Sequence, residues 1–292
     1  MTMFGKICTA MITPFDAKGN IDFQKTEILI EYLLNHGTES LVVSGTTGEA
    51  PTLTTEEKIA LIKHVVKVVA GRVPVIAGTG GNNTKATIEL TKRAEEIGAD
   101  AVMLVAPYYN KPNQEGLYEH FKSVAENTKL PVMLYNIPGR TGVNIETETV
   151  VALSRIPNIV AIKDASGNLN QMARIIANTP RDFALYSGDD SLALPVLAIG
   201  GHGVVSVASH IIGNEMQEMY KAFLSGDHEK AAEWHRKLLP LMEGLFEQPS
   251  PAPVKTALQL IGLNVGSVRL PLVPLGEDSR MKLTALLQDL KK

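Results

Sequence analysis

The residue in this sequence with the most chemical promise is Lys163, which follows four apolar residues, Ile159-Val160-Ala161-Ile162. Such a run reads as a buried strand, and a lysine at its end delivers an amine to the rim of a sheet. Desolvation disfavours the ammonium there, and a lysine amine held free attacks carbonyls to form imines. The bland alternative is a lysine that snorkels outward and pairs with Asp164. Tyr135 closes the preceding apolar run, Val132 to Tyr135, so its phenol can stand beside that amine and move protons, which imine formation requires more than once. Taken alone, Tyr135 would be a core aromatic with a satisfied hydroxyl.

Other apolar runs also end in residues able to do chemistry. Gly45-Thr46-Thr47-Gly48-Glu49 precedes a helical segment, and its glycines let the backbone approach a ligand with N–H groups pointing at it, an arrangement suited to a carboxylate. It also fits an ordinary turn with a threonine cap. Arg140, in a Pro138-Gly139-Arg140 loop, offers a guanidinium for bidentate recognition of a second carboxylate, although an exposed loop arginine is often simply solvated. Pro107-Tyr108-Tyr109-Asn110 and Ser187-Gly188-Asp189-Asp190 end two further runs. The seven histidines include no pair at metal-ligand spacing; His228 and His235 miss the two-histidine helical motif. No Gly-x-Ser-x-Gly elbow is present. We expect no metal and no cofactor.

These residues need a scaffold that gathers strand ends. Eight short apolar runs recur: Ile7–Ile12, Leu41–Val43, Val73–Ala77, Ala101–Ala106, Val132–Tyr135, Ile159–Ile162, Phe183–Tyr186 and Val204–Val207. Segments of helical period separate them, for example Thr54–Val69, Thr84–Ile97 and Leu117–Asn127. Alternation of this kind demands a parallel sheet, and eight units is the number that closes into a (β/α)8 TIM barrel, with its active site at the carboxyl ends of the strands. An open doubly wound sheet is the alternative, but Gly78-Thr79-Gly80-Gly81 lacks the third glycine of the dinucleotide fingerprint. Helical periodicity continues after the eighth run, through Glu215–Leu224, Lys230–Phe246, Pro253–Ile261 and Met281–Leu290. We therefore expect an α/β barrel over residues 1–224 and additional C-terminal helices, residues 225–292, packed on it.

Composition narrows the partners. Lys+Arg 28 against Asp+Glu 31 gives a net charge of -3 with no run of like charges, which argues against nucleic acid and against a membrane surface. The stretch from Ile7 to Phe15 is too short to span a bilayer and is broken by Pro14. The single Cys8 cannot form an internal disulfide, which fits a cytoplasmic location.

In these motifs, taken in order (Gly45-Thr46-Thr47-Gly48-Glu49, Pro107-Tyr108-Tyr109-Asn110, Tyr135-Asn136-Ile137-Pro138-Gly139-Arg140-Thr141 and Ile162-Lys163-Asp164), the chain resembles the dihydrodipicolinate synthases. These belong to the pyruvate-dependent Schiff-base lyases, which also include N-acetylneuraminate lyase. The resemblance covers essentially the whole chain. It implies an imine between Lys163 and pyruvate, then condensation with L-aspartate 4-semialdehyde in the diaminopimelate and lysine pathway. It further implies that Thr46, Tyr109 and Tyr135 form a proton relay, with Tyr109 supplied by a neighbouring subunit. Gly45 and Thr47 would hold the pyruvate carboxylate, Arg140 the carboxylate of the aldehyde, and Gly188 and Val205 would line the site. A homotetramer built as a dimer of dimers is implied as well. Lysine-inhibited members carry histidine, tryptophan or acidic residues where this chain has Thr55, Lys58 and Ala86, so weak or absent lysine feedback is expected. A sister aldolase acting on a sugar acid, or a barrel that binds ligands without catalysis, are the competing readings.

Overall fold

The computed structural model describes residues 3–290. β1 (Ile7–Ala10) leads to α1 (Phe23–Leu34), β2 (Ser40–Val43) to α2 (Thr55–Val69), β3 (Val75–Gly78) to α3 (Thr84–Glu96) and β4 (Ala101–Val105) to α4 (Gln114–Ala125). β5 (Val132–Asn136) leads to α5 (Pro138–Thr141) and α6 (Thr147–Leu153), β6 (Ile159–Asp164) to α7 (Leu169–Asn178), β7 (Ala184–Ser187) to α8 (Ala193–Ala198) and β8 (Gly203–Ser206) to α9 (Ser209–Leu224). α10 (His228–Gly244), α11 (Ala252–Leu260) and α12 (Glu277–Asp289) follow and pack on α9 and on one another. Each strand pairs in parallel with the next, and β8 pairs with β1, which closes the expected barrel with its additional C-terminal helices.

Strand side chains alternate between two cores because successive residues point to opposite faces. Past the register irregularity at the start of β6, Ile162 joins the layer between strands and helices, whereas Ala161 joins the barrel interior with Cys8, Val42, Met103, Met133, Tyr135 and Val205. The same period carries Lys163 inward and Asp164 outward.

Strand ends lie within one or two residues of those read in the sequence, and three differences have local reasons. β1 stops at Ala10 because the chain must turn before Pro14, and β6 runs on through Lys163 and Asp164, both paired with β5. The Pro-Gly-Arg loop is one helical turn, α5, with Pro138 at its first position and left-handed Gly142 closing it, the arrangement each residue favours.

Two histidines packed in this frame set a pH limit on stability. His210 is fully buried; its Nε2 accepts from the Ile12 N–H at 3.2 Å, and its Nδ1 lies 2.8 Å from the Val207 carbonyl, so the ring is held neutral. Burial draws it down to about 4, and burial does the same to His120, whose Nδ1 meets the Thr84 hydroxyl at 2.9 Å. A histidine depressed in the fold binds its proton first in the unfolded chain, so stability is full above the ordinary histidine range and declines as pH falls from about 6.5 toward 4. Each ring is expected to remove about 2 kcal/mol between pH 7 and pH 5. A urea midpoint that stays unchanged over that interval at fixed ionic strength would contradict this.

Candidate active site at the carboxyl end of the barrel

β5 and β6 pair with Tyr135 directly beside Lys163 and Asn136 beside Asp164. Parity then sorts the four side chains. The Lys163 Nζ lies inside the barrel, 4.0 Å from the Tyr135 ring centroid, and the two residues are 5% and 3% exposed. Asp164 faces the helices, where it accepts from the Asn136 amide (3.2 Å), the Gln171 amide (3.4 Å) and the Ser166 N–H (2.8 Å). The simple pairing of Lys163 with Asp164 is therefore ruled out: Lys163 takes part in none of the ion pairs among the described residues. An amine in such a place is held by no counter-charge and can be spent on a carbonyl carbon.

A cavity of about 650 Å³ opens over Tyr135. Of the residues singled out from the sequence, Gly45, Thr46, Tyr109, Tyr135 and Arg140 line it. Lys163, Thr47, Gly188 and Val205 do not. Thr47 is buried in the turn after β2, and Val205 sits in the interior cluster with Tyr135. Gly188 packs on the catalytic candidate itself: its N–H donates to the Asp164 carbonyl at 2.7 Å, and a Cβ there would stand 3.1 Å from Lys163 Cε and 2.7 Å from Ala165 Cβ. A side chain at Gly188 would push the lysine.

The turn from Gly45 to Glu49 is pinned on its outer side. The Thr13 hydroxyl donates to the Gly48 carbonyl at 2.6 Å, and the Glu49 and Ala50 N–H groups donate back to Thr46 and Gly45. The N–H groups of Thr46 and Thr47 find no acceptor among the described residues. Free, fixed backbone donors beside a cavity suit an anion.

Electrostatics point the same way. Lys58, Lys111 and Arg140 line the cavity, and no aspartate or glutamate does. Burial draws the Lys58 ammonium below the usual lysine range, with no opposing charge to restore it.

The Tyr108–Lys111 segment is held in an unusual shape. Tyr109 and Lys111 both take left-handed backbone angles, φ 71 and φ 44, which L side chains adopt only where neighbours impose them. The Asn110 amide donates to the Asn82 carbonyl (2.9 Å), and the Asn82 amide to the Tyr108 carbonyl (3.1 Å). The result is a Tyr109 ring 90% exposed at the cavity mouth.

Among the lining residues without a role in the sequence reading, two polar ones stand out, Ser44 and Lys111. Ser44 is 2% exposed, with φ 58 and a hydroxyl lacking any partner among the described residues; its place at a strand end was the available signal. Lys111 lies against Gly142, where a Cβ would come within 2.8 Å of its Cε, and nothing local in the sequence announces that contact. Among the described residues no three His, Cys, Asp or Glu side chains gather as metal ligands.

The sequence profile of the Dihydrodipicolinate synthetase family matches residues 3–290. The chain belongs to the dihydrodipicolinate synthetase family. A curated relative from Bacillus subtilis, named 4-hydroxy-tetrahydrodipicolinate synthase, is 65% identical over 288 residues, covering 98% of this chain and 99% of its own. Among solved structures, a dihydrodipicolinate synthase from Bacillus anthracis superposes with TM-score 0.97 at 63% identity over 99% of both chains. One from Cyanidioschyzon merolae, solved with lysine bound, gives TM-score 0.98 at 46% identity, covering 100% of this chain and 99% of that one. Membership of the dihydrodipicolinate synthetase family makes this chain a lyase of the Schiff-base type, as the resemblance implied.

Proposed function

We propose that the chain is a 4-hydroxy-tetrahydrodipicolinate synthase that joins pyruvate, held as an imine on Lys163, to L-aspartate 4-semialdehyde. The observation that carries this reading is the inward amine of Lys163 beside Tyr135 under a cavity whose charged lining is wholly cationic. The Lys163 amine attacks the keto carbon of pyruvate, and loss of water gives the imine. A proton leaves the pyruvate methyl group, and the resulting enamine attacks the aldehyde. The substrate's own amine then closes on the imine carbon and displaces Lys163, which frees the heterocycle. Tyr135 and Thr46 carry the protons. The free N–H groups of the Gly45–Glu49 turn, with Thr47, hold the pyruvate carboxylate, and Arg140 takes the carboxylate of the aldehyde. Gly188 and Val205 shape the space around the amine. No resident cofactor enters these steps.

Borohydride reduction with pyruvate present is expected to fix a stable adduct on Lys163, seen by mass spectrometry; its absence would favour a barrel that only binds. Faster condensation with N-acetylmannosamine than with aspartate semialdehyde would instead favour a sugar-acid aldolase.

The outward ring of Tyr109 supports a homotetramer built from dimers in which this tyrosine completes the relay of a second copy. Tyr109→Phe is expected to lower kcat about tenfold or more with the fold retained, since general acid–base groups contribute at least that much. An unchanged kcat would remove Tyr109 from the relay. None of the helices among the described residues is long and apolar enough to cross a membrane, and the reading places the enzyme in the cytoplasm.

Feedback by lysine is expected to be weak. A half-buried Lys58 with Ala86 in place of an acidic partner repels the ammonium of such a ligand, and Thr55 offers it no ring to pack on. Half-inhibition by sub-millimolar lysine in a steady-state assay would contradict this.

A further inference from the structure

The ammonium of Lys255, on α11, meets the carboxylate of Glu49, in the turn after β2, at 2.6 Å, with the two side chains 2% and 1% exposed. Charges so far from water cost several kcal/mol each to desolvate, and exchanging such a pair for apolar side chains is often neutral or stabilising. Stability alone is therefore a poor account of it.

What surrounds the pair indicates what it holds. Glu49 has left-handed φ 56, a conformation that surrounding contacts must impose on a residue with a Cβ. Its second carboxylate oxygen accepts from the Arg269 N–H at 2.8 Å, its own N–H donates to the Thr46 carbonyl at 3.0 Å, and its carbonyl accepts from the Thr52 N–H and hydroxyl. Lys255 also donates to the Ser267 carbonyl at 2.8 Å and lies 4.2 Å from the Phe15 ring centroid; the Arg269 guanidinium lies 4.4 Å from the same ring. Arg269 in turn donates to Glu57 on α2 and to the Thr52 and Gly19 carbonyls. The segment from Lys255 to Arg269 thus grips the link between β2 and α2 from its middle, at Glu49, to its α2 end, and Glu49 closes the turn that carries the free Thr46 and Thr47 N–H groups.

We propose that Glu49 and Lys255 are positioning residues for pyruvate: their buried ion pair fixes the Gly45-Thr46-Thr47-Gly48 turn so that its N–H groups converge on the substrate carboxylate, and α11 becomes part of the substrate site. This rests on the proposed function, and the test separates the two. Glu49→Gln, Lys255→Met and the double variant are compared by thermal midpoint, by KM for each substrate and by borohydride adduct at saturating pyruvate. Each folded variant is expected to raise the pyruvate KM at least tenfold. The KM for aspartate semialdehyde and the adduct yield at saturation should stay within about twofold. In the double variant the midpoint lost by the single variants should return, because no charge is left unpaired, while the pyruvate KM stays high. A folded variant with its pyruvate KM within twofold of the parent overturns the proposal, as does failure of all three variants to fold, which would assign the pair to stability alone. Missing adduct in the parent enzyme would instead sink the imine reading.

Discussion

Lys163→Ala is expected to lower kcat/KM for condensation by at least about 10⁴-fold, with no borohydride adduct at any pyruvate concentration. The size follows from what the amine does in the proposed chemistry: it is the nucleophile, so its loss removes the covalent route, whereas loss of a binding group would only weaken a step. Two lysines line the cavity, Lys58 on α2 and Lys111 between β4 and α4, but neither belongs to a barrel strand as Lys163 does, so no substitute amine is in place. The fold should not suffer. Lys163 takes part in no ion pair among the described residues, so alanine strands no opposing charge, and removing a buried amine relieves a desolvation cost. The thermal midpoint is expected to hold or rise. Condensation at the original rate in this variant would end the proposal.

The second large effect concerns one oxygen atom. Tyr135→Phe keeps the ring that packs 4.0 Å from the Lys163 Nζ and keeps the interior cluster with Met133 and Val205, so packing is conserved and only the proton-carrying hydroxyl is lost. A positioned acid–base group contributes about 10² to 10⁴ in rate, and a fall in kcat within that range is expected, with little change in the pyruvate KM. The adduct with pyruvate should still form on long incubation, only more slowly. Parental kcat in the Tyr135→Phe variant would show that the tyrosine merely supports the lysine.

The barrel was legible because its strands are buried on both faces and so appear as uninterrupted apolar runs, each closed by polar residues. Lys163 and Tyr135 were legible for the same reason: each breaks the apolar pattern at the end of a run. What spacing alone left open was whether Lys163 would meet Asp164. Strand parity answers that, and parity is fixed only by the pairing of Tyr135 with Lys163 across β5 and β6. Arg140 reads as a loop residue because four residues carry too little periodicity to announce α5. The bond between Glu49 and Lys255 joins residues more than two hundred positions apart, and only the closed topology brings them together. Ser44 adjoins the Gly45–Glu49 motif, yet a serine before a glycine is common in turns, and only its left-handed backbone and lone hydroxyl set it apart.

The one-signed rim formed by Lys58, Lys111 and Arg140 also acts before any bond is made. A concave, low-dielectric mouth of uniform charge focuses field lines outward and draws oppositely charged solutes from bulk solution, with a reach set by the Debye length, about 10 Å at 0.1 M salt. Pyruvate is a net anion, so the mouth gathers it faster than diffusion to a neutral opening would, whereas the aldehyde's amine balances its carboxylate; dissolved salt weakens the capture of pyruvate while leaving turnover on a filled site untouched.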